Sequence, residues 1–99
     1  DVAFQARLAE AVGRLFPGCP AGRAEAIAQH ATVRGSGRVG RSAAGRALDE
    51  HAVMLAVIAS VRHQDTGYDE LLMAGVPRGE ARARVRPDID RILAAWQDP

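Results

Sequence analysis

Residues 52–61 read Ala-Val-Met-Leu-Ala-Val-Ile-Ala-Ser-Val, and no other part of the chain is as continuously apolar. A stretch apolar nearly all round belongs to a helix packed on several sides. Alanine abundance and the scarcity of β-branched runs favour helix over sheet throughout. The aromatic residues are Phe4, Phe16, Tyr68 and Trp96, so the core must come mostly from Ala, Val, Leu and Ile. With 99 residues the chain is read as one domain with a single small core.

The other elements fall on either side of this rod. Phe4, Leu8, Ala11 or Val12, and Leu15 recur at helical spacing and predict a first helix over Val2–Phe16, stopped by Pro17-Gly18. Pro20 suits the first turn of a second helix that runs to about Val33, with Gly35 able to take a left-handed cap. Asp49 is the expected N-cap of the central helix, which should continue to about His63. Thr66-Gly67-Tyr68-Asp69 has the spacing of a capping box, and it predicts a short helix over Gly67–Ala74 that buries Leu71 and Leu72 and ends at Gly75. Pro77 opens a last helix carrying Ala81, Val85, Ile89, Ile92, Leu93 and Trp96. Pro87 lies inside that pattern, where loss of an N–H and a clash with the carbonyl of Ala83 predict a kink or break. The expected fold is all-α, a bundle of about five helices around a buried central helix.

Between the second and central helices, Arg34 to Leu48 shows no sustained periodicity and holds Gly35, Gly37, Gly40 and Gly45; Ser42 to Arg46 could add a short helical turn. A loop of that length in so small a domain is usually functional or disordered. No acidic residue occurs from Ala26 to Leu48, while Arg34, Arg38, Arg41 and Arg46 all fall there. Net charge is only +1, so the distribution matters more than the total. The thirteen basic residues are all arginine, which a GC-rich genome would explain; each is nonetheless a planar fork suited to phosphate or carboxylate.

Two nucleotide motifs come close in letters and fail in context. Gly35-x-Gly37-x-x-Gly40 matches a dinucleotide fingerprint, and Gly35-x-x-x-x-Gly40-Arg41-Ser42 is one residue from a phosphate loop whose lysine Arg41 replaces. Both need a strand leading in, and a helix is predicted there. What remains is an anion site of glycine amides and guanidiniums: Arg34, Gly35, Ser36, Gly37, Arg38, Arg41, Ser42 and Arg46, set against the plainer reading of a solvated basic loop. Arg62 and His63 at the end of the central helix, with Arg82 and Arg86 on one face of the last, are the expected auxiliary contacts. The plainer reading of the last helix, where Arg78 and Arg84 also lie, is a charged face with i,i+4 pairs to Glu80, Asp88 and Asp90.

His63, Asp65, Tyr68 and Asp69 raise an acid–base or metal reading, with a metal-dependent hydrolase using His63 and Asp65 as its form. No nucleophile–base–orienter set can be named, Asp69 is expected to cap its helix, and Tyr68 is expected in the core rather than stacked on a base. Cys19 is alone, so no internal disulfide and no cysteine-based metal site is expected. No catalytic residue, metal or cofactor is assigned. No stretch reaches the roughly 18 to 20 apolar residues of a membrane span, and no signal peptide is visible, which fits a cytoplasmic protein without a membrane partner.

Three strings carry a family likeness: Leu15-Phe16-Pro17-Gly18-Cys19-Pro20 leading into Ala26-Ile27-Ala28-Gln29-His30-Ala31; Gly35-Ser36-Gly37-Arg38-Val39-Gly40-Arg41-Ser42; and Val61-Arg62-His63-Gln64-Asp65-Thr66-Gly67-Tyr68-Asp69-Glu70-Leu71-Leu72 with Gly75 and Glu80-Ala81-Arg82. They resemble the domain of unknown function 2293 family in its actinobacterial, hence bacterial, form. The resemblance spans nearly the whole chain and brings no catalytic residues with it. It implies that the chain, which begins at Asp1, is the C-terminal part of a longer protein with an arginine-rich linker ahead of it, and that Pro87 departs from an uninterrupted last helix. The expected function is a binding module for DNA or RNA phosphates. The alternative is a protein–protein interaction domain, because Leu71-Leu72-Met73-Ala74-Gly75-Val76 with Glu80-Ala81-Arg82 is similar to the hairpin of ubiquitin-associated domains.

Overall fold

The structure is a computed structural model that describes residues 2–31 and 49–98. The Arg/Gly segment, including Gly35 as a cap and Ser42 to Arg46 as a helical turn, lies outside the described residues. Those described form five helices and no strand: α1 Val2–Leu15, α2 over residues 21–31, α3 Glu50–Asp65, α4 Tyr68–Met73 and α5 Arg78–Gln97.

The central rod is α3, which packs against α1, α4 and α5. Val53, Val57 and Val61 stand at i, i+4 and i+8, share one face and are completely buried. Burying each contributes roughly 1.5–3 kcal/mol. Around them sit Leu8, Ala11 and Val12 of α1, Phe16, Ala24, Ile27 and Ala28 from the α2 side, Tyr68 of α4, and Ala81, Val85, Ile89 and Trp96 of α5. The rod is not enclosed all round. Leu55, two residues and about 200° beyond Val53, is 53% exposed. Met54, Ala56 and Ile58 pack on the core from the flanks.

Two turns set the angles between helices. The first is 16–20, where the Gly18 N–H donates to the carbonyl of Trp96 at 2.6 Å and satisfies one of the orphan carbonyls at the end of α5. The approach is so close that a Cβ on Gly18 would lie 2.5 Å from the Asp98 oxygen and 2.8 Å from that of Ala95. The second is Gly75. The Val76 N–H donates to Leu71 O and the Gly75 N–H to Leu72 O, both at 3.0 Å. Gly75 itself has φ +92°, completing a Schellman cap at the end of α4.

Several expectations need correction. The first helix stops one residue short of Phe16, and α3 runs two residues past His63 to Asp65. Leu71 and Leu72 are half-buried, while Tyr68 is the fully buried residue of α4. Thr66 builds no capping box: its hydroxyl donates to the Arg62 carbonyl and accepts from the Tyr68 N–H at 3.2 Å, and α4 has no side-chain cap. Asp49 likewise occupies the N-cap of α3 without a side-chain bond. Pro87 does not break α5, which is continuous from Arg78 to Gln97. Pro87 is itself exposed, and Val85 and Ile89 on either side of it are buried, so packing holds the helix through the missing bond.

The glycines allow a direct test. Gly13 lies inside α1 with nothing near its would-be Cβ, so Gly13→Ala should raise stability by about 0.5–1 kcal/mol. Gly18→Ala should lower it by about 1–3 kcal/mol, since only backbone can give way. Urea unfolding of the two variants checks both signs.

Candidate functional site

The site is built at the end of α3. The Thr66 bridge turns the chain so that Tyr68 comes back under the last turn of that helix. Arg62 lies over the Tyr68 ring, its guanidinium carbon 5.7 Å from the centroid. His63 meets the same ring edge-on at 5.3 Å and 76°, and its Nδ1 lies 2.7 Å from Oδ1 of Asp69. Asp69 is thus a partner of His63 and not a helix cap. Tyr68 is only 2% exposed, so its ring supports Arg62 and offers no platform for a base.

With α3 packed on α5, Arg62 lies within electrostatic reach of Arg82 and Arg86. Arg82 and Arg86 are separated by one turn on the same face of α5, and Arg78 extends that row toward the start of the helix. Arg86 pairs with Asp90 at 2.9 Å; among the described residues Arg82 has no acidic partner. Burial holds the Arg62 pKa below the usual arginine value; the charge of Arg82 adds to that, Tyr68 opposes it, and Arg86 contributes again in the lowering direction. The Nε of Arg62 is buried with no hydrogen-bond partner. A donor left in that state costs about 1–3 kcal/mol.

Sequence reasoning placed Arg82 and Arg86 on one face and Arg62 with His63 at a helix end; the charges of Arg82 and Arg86 reach Arg62, while His63 is held by Asp69 and the Tyr68 ring. Arg34, Gly35, Ser36, Gly37, Arg38, Arg41, Ser42 and Arg46 lie outside the described residues. That segment rejoins the fold at Asp49, about 20 Å along α3 from Arg62 by helical rise.

Asp65 belongs to a different cluster. It is one turn face away from His63, as residues at i and i+2 of a helix must be. Arg23 of α2 holds it instead, with Nη1 at 2.7 and 3.0 Å from its two oxygens, while Nη2 donates to Ser60 Oγ at 3.1 Å. The same guanidinium lies 5.0 Å from the Trp96 ring centroid. Burial pushes the half-buried Cys19 thiol up, with Arg23 opposing and Asp65 adding to the shift, so this sulfur is not an activated nucleophile. Among the described residues no three His, Cys, Asp or Glu side chains are grouped as metal ligands. Sequence reasoning missed Arg23 altogether, because its partners are 37 and 42 residues away.

The chain matches the family described as "Uncharacterized conserved protein (DUF2293)" over residues 11–97 and belongs to it. No curated protein and no solved structure matches the chain. No helix among the described residues is long and apolar enough to cross a membrane.

The two clusters should differ energetically. Arg23 and Asp65 side chains are 26% and 21% exposed, against 52% and 51% for Arg84 and Glu80. A double-mutant cycle by chemical denaturation should give about 1–2 kcal/mol of coupling for Arg23–Asp65. The same cycle on Arg84–Glu80 should give about 0.3–0.5 kcal/mol.

Proposed function

We propose that this domain binds nucleic acid through its phosphates, using Arg62, Arg82 and Arg86, with His63 beside them and Arg34, Arg38, Arg41 and Arg46 as further contacts. The observation that carries the reading is the row Arg78, Arg82 and Arg86 on one face of α5, whose Arg82 and Arg86 charges reach Arg62 of α3, with Asp90 on Arg86 the one carboxylate paired to these four among the described residues. Like charges brought together repel, and a polyanion is the common partner that turns such a cost into attraction. Arginine forks also fit phosphate oxygens in pairs. The buried Tyr68 supports contact with the backbone rather than with bases. Neither a cofactor nor a catalytic residue is part of this reading, and the compartment it fits is the bacterial cytoplasm.

The protein-interaction alternative requires a contiguous apolar patch. The exposed large apolar residues Val2, Leu55 and Met73 stand on three different helices, which favours it less.

Fluorescence anisotropy with short DNA and RNA across a salt series decides between them. Affinity should fall steeply with salt, by a slope of about 0.9 per phosphate contacted on duplex DNA. Arg82→Glu with Arg86→Glu should weaken binding and flatten that slope by about two contacts. Arg84→Glu, removed from the face of Arg82 and paired with Glu80, should do neither. Arg38→Glu with Arg41→Glu measures the second group separately. Absence of binding at low salt, or binding indifferent to all these reversals, sinks the reading.

A further inference from the structure

We propose that His63 makes this surface select RNA over DNA, its Nε2 accepting a hydrogen bond from a ribose 2′-hydroxyl. This rests on the nucleic-acid reading above and narrows it to one of the two polymers.

The imidazole is set by two contacts. Nδ1 of His63 lies 2.7 Å from Oδ1 of Asp69, and the ring meets that of Tyr68 edge-on, with centroids 5.3 Å apart and planes at 76°. Tyr68 is buried, so the second contact ties His63 to the core. An ionised carboxylate can only accept, so Nδ1 carries the hydrogen of the first. In the neutral ring the other nitrogen, Nε2, is then an acceptor. It has no partner among the described residues, and the side chain is 39% exposed.

Such an acceptor is out of place on a surface that takes phosphate alone. Arg62, Arg78, Arg82 and Arg86 offer donors only. Asp69, its side chain half exposed, puts a carboxylate beside His63, and a carboxylate repels phosphate oxygens. The pair therefore calls for a group that donates a hydrogen. Along a nucleic-acid backbone that group is the 2′-hydroxyl of ribose, which deoxyribose lacks. The amino groups of bases also donate, but unpaired bases are commonly held by stacking on aromatic faces, and the aromatic ring at this place is buried with Arg62 over it. Thr66 is already committed, since its hydroxyl donates to the Arg62 carbonyl and accepts from the Tyr68 N–H.

A phosphate contact stands close by. Arg62 and His63 rest on the same ring, the guanidinium carbon 5.7 Å and the imidazole 5.3 Å from its centroid. One stretch of backbone can therefore place a phosphate on the first and a neighbouring sugar on the second.

The test compares three short single strands of one base sequence by anisotropy at fixed ionic strength. They are RNA, DNA, and RNA with each 2′-hydroxyl replaced by fluorine, which keeps the sugar pucker of RNA and cannot donate. RNA should bind about three- to tenfold tighter than either of the others, as one net hydrogen bond gives. His63→Ala should bring RNA down to the affinity of the fluorinated strand. His63→Gln, whose amide oxygen can accept, should restore part of the preference. Asp69→Ala, which releases the ring, should narrow it. Neither residue belongs to the core, and circular dichroism should show the helices intact in all three variants. Equal binding of RNA and DNA, or tighter binding of DNA, overturns this inference and leaves nucleic-acid binding standing. A fluorinated strand that binds as tightly as RNA overturns it too, because the shape of the strand and not the hydroxyl is then being read. So does a preference untouched by His63→Ala. No binding of any strand removes this inference and the broader reading together.

Discussion

One guanidinium ties three of the five described helices together. Arg23 takes both oxygens of Asp65 at the end of α3, donates to Ser60 one turn earlier, and lies on the ring of Trp96 near the end of α5. Beside it, the Gly18 N–H closes on the Trp96 carbonyl. Three helices and the first turn are therefore fixed relative to one another by a handful of polar contacts at one end of an otherwise aliphatic core. Val53, Val57 and Val61 supply the burial, but small branched side chains specify direction poorly. The charged pair specifies it, because a mispacked bundle would leave a partly desolvated Asp65 without its cation.

That pinning places the basic cluster. With the ends of α3 and α5 fixed, Arg62 near the end of α3 comes within electrostatic reach of Arg82 and Arg86 on α5. The Thr66 bridge does the local part, folding α4 back so that Tyr68 fills the space beneath Arg62. The segment joining α2 to α3 meets the fold at the other end of the rod.

What the sequence could disclose follows range. Contacts within a few residues were legible: the apolar rod, the stop at Gly75, the shared face of Arg82 and Arg86. Gly75 was legible because only glycine sits easily at φ +92°. Local rules failed where tertiary packing outweighed them. Pro87 was expected to kink or break a helix that in fact runs continuously through it, with Val85 and Ile89 buried on either side, and Thr66 and Asp69 had capping-box spacing but found better partners in the Arg62 carbonyl and His63. Arg23–Asp65 and the reach of the Arg82 charge to Arg62 were not legible at all. Each depends on how two helices cross, and no periodicity encodes that. The likeness to the family covered the chain without helping here, since it named no site.

Arg62 is hard to account for by packing alone. Its stem covers Tyr68, but a leucine or methionine would cover the ring as well without a charge. Its Nε is a donor with no acceptor, and the charges of Arg82 and Arg86 act on it unfavourably. Each of these features costs stability, and the contact with the Tyr68 ring returns part of it. Val61 next to it already completes the core stripe. The described fold therefore leaves the hydrogen-bonding capacity of this guanidinium partly unused. The same reasoning distinguishes Arg62 from Arg23, whose charge is fully used inside the protein, and from Arg84 and Arg91, which are paired at the surface and ask for no further partner.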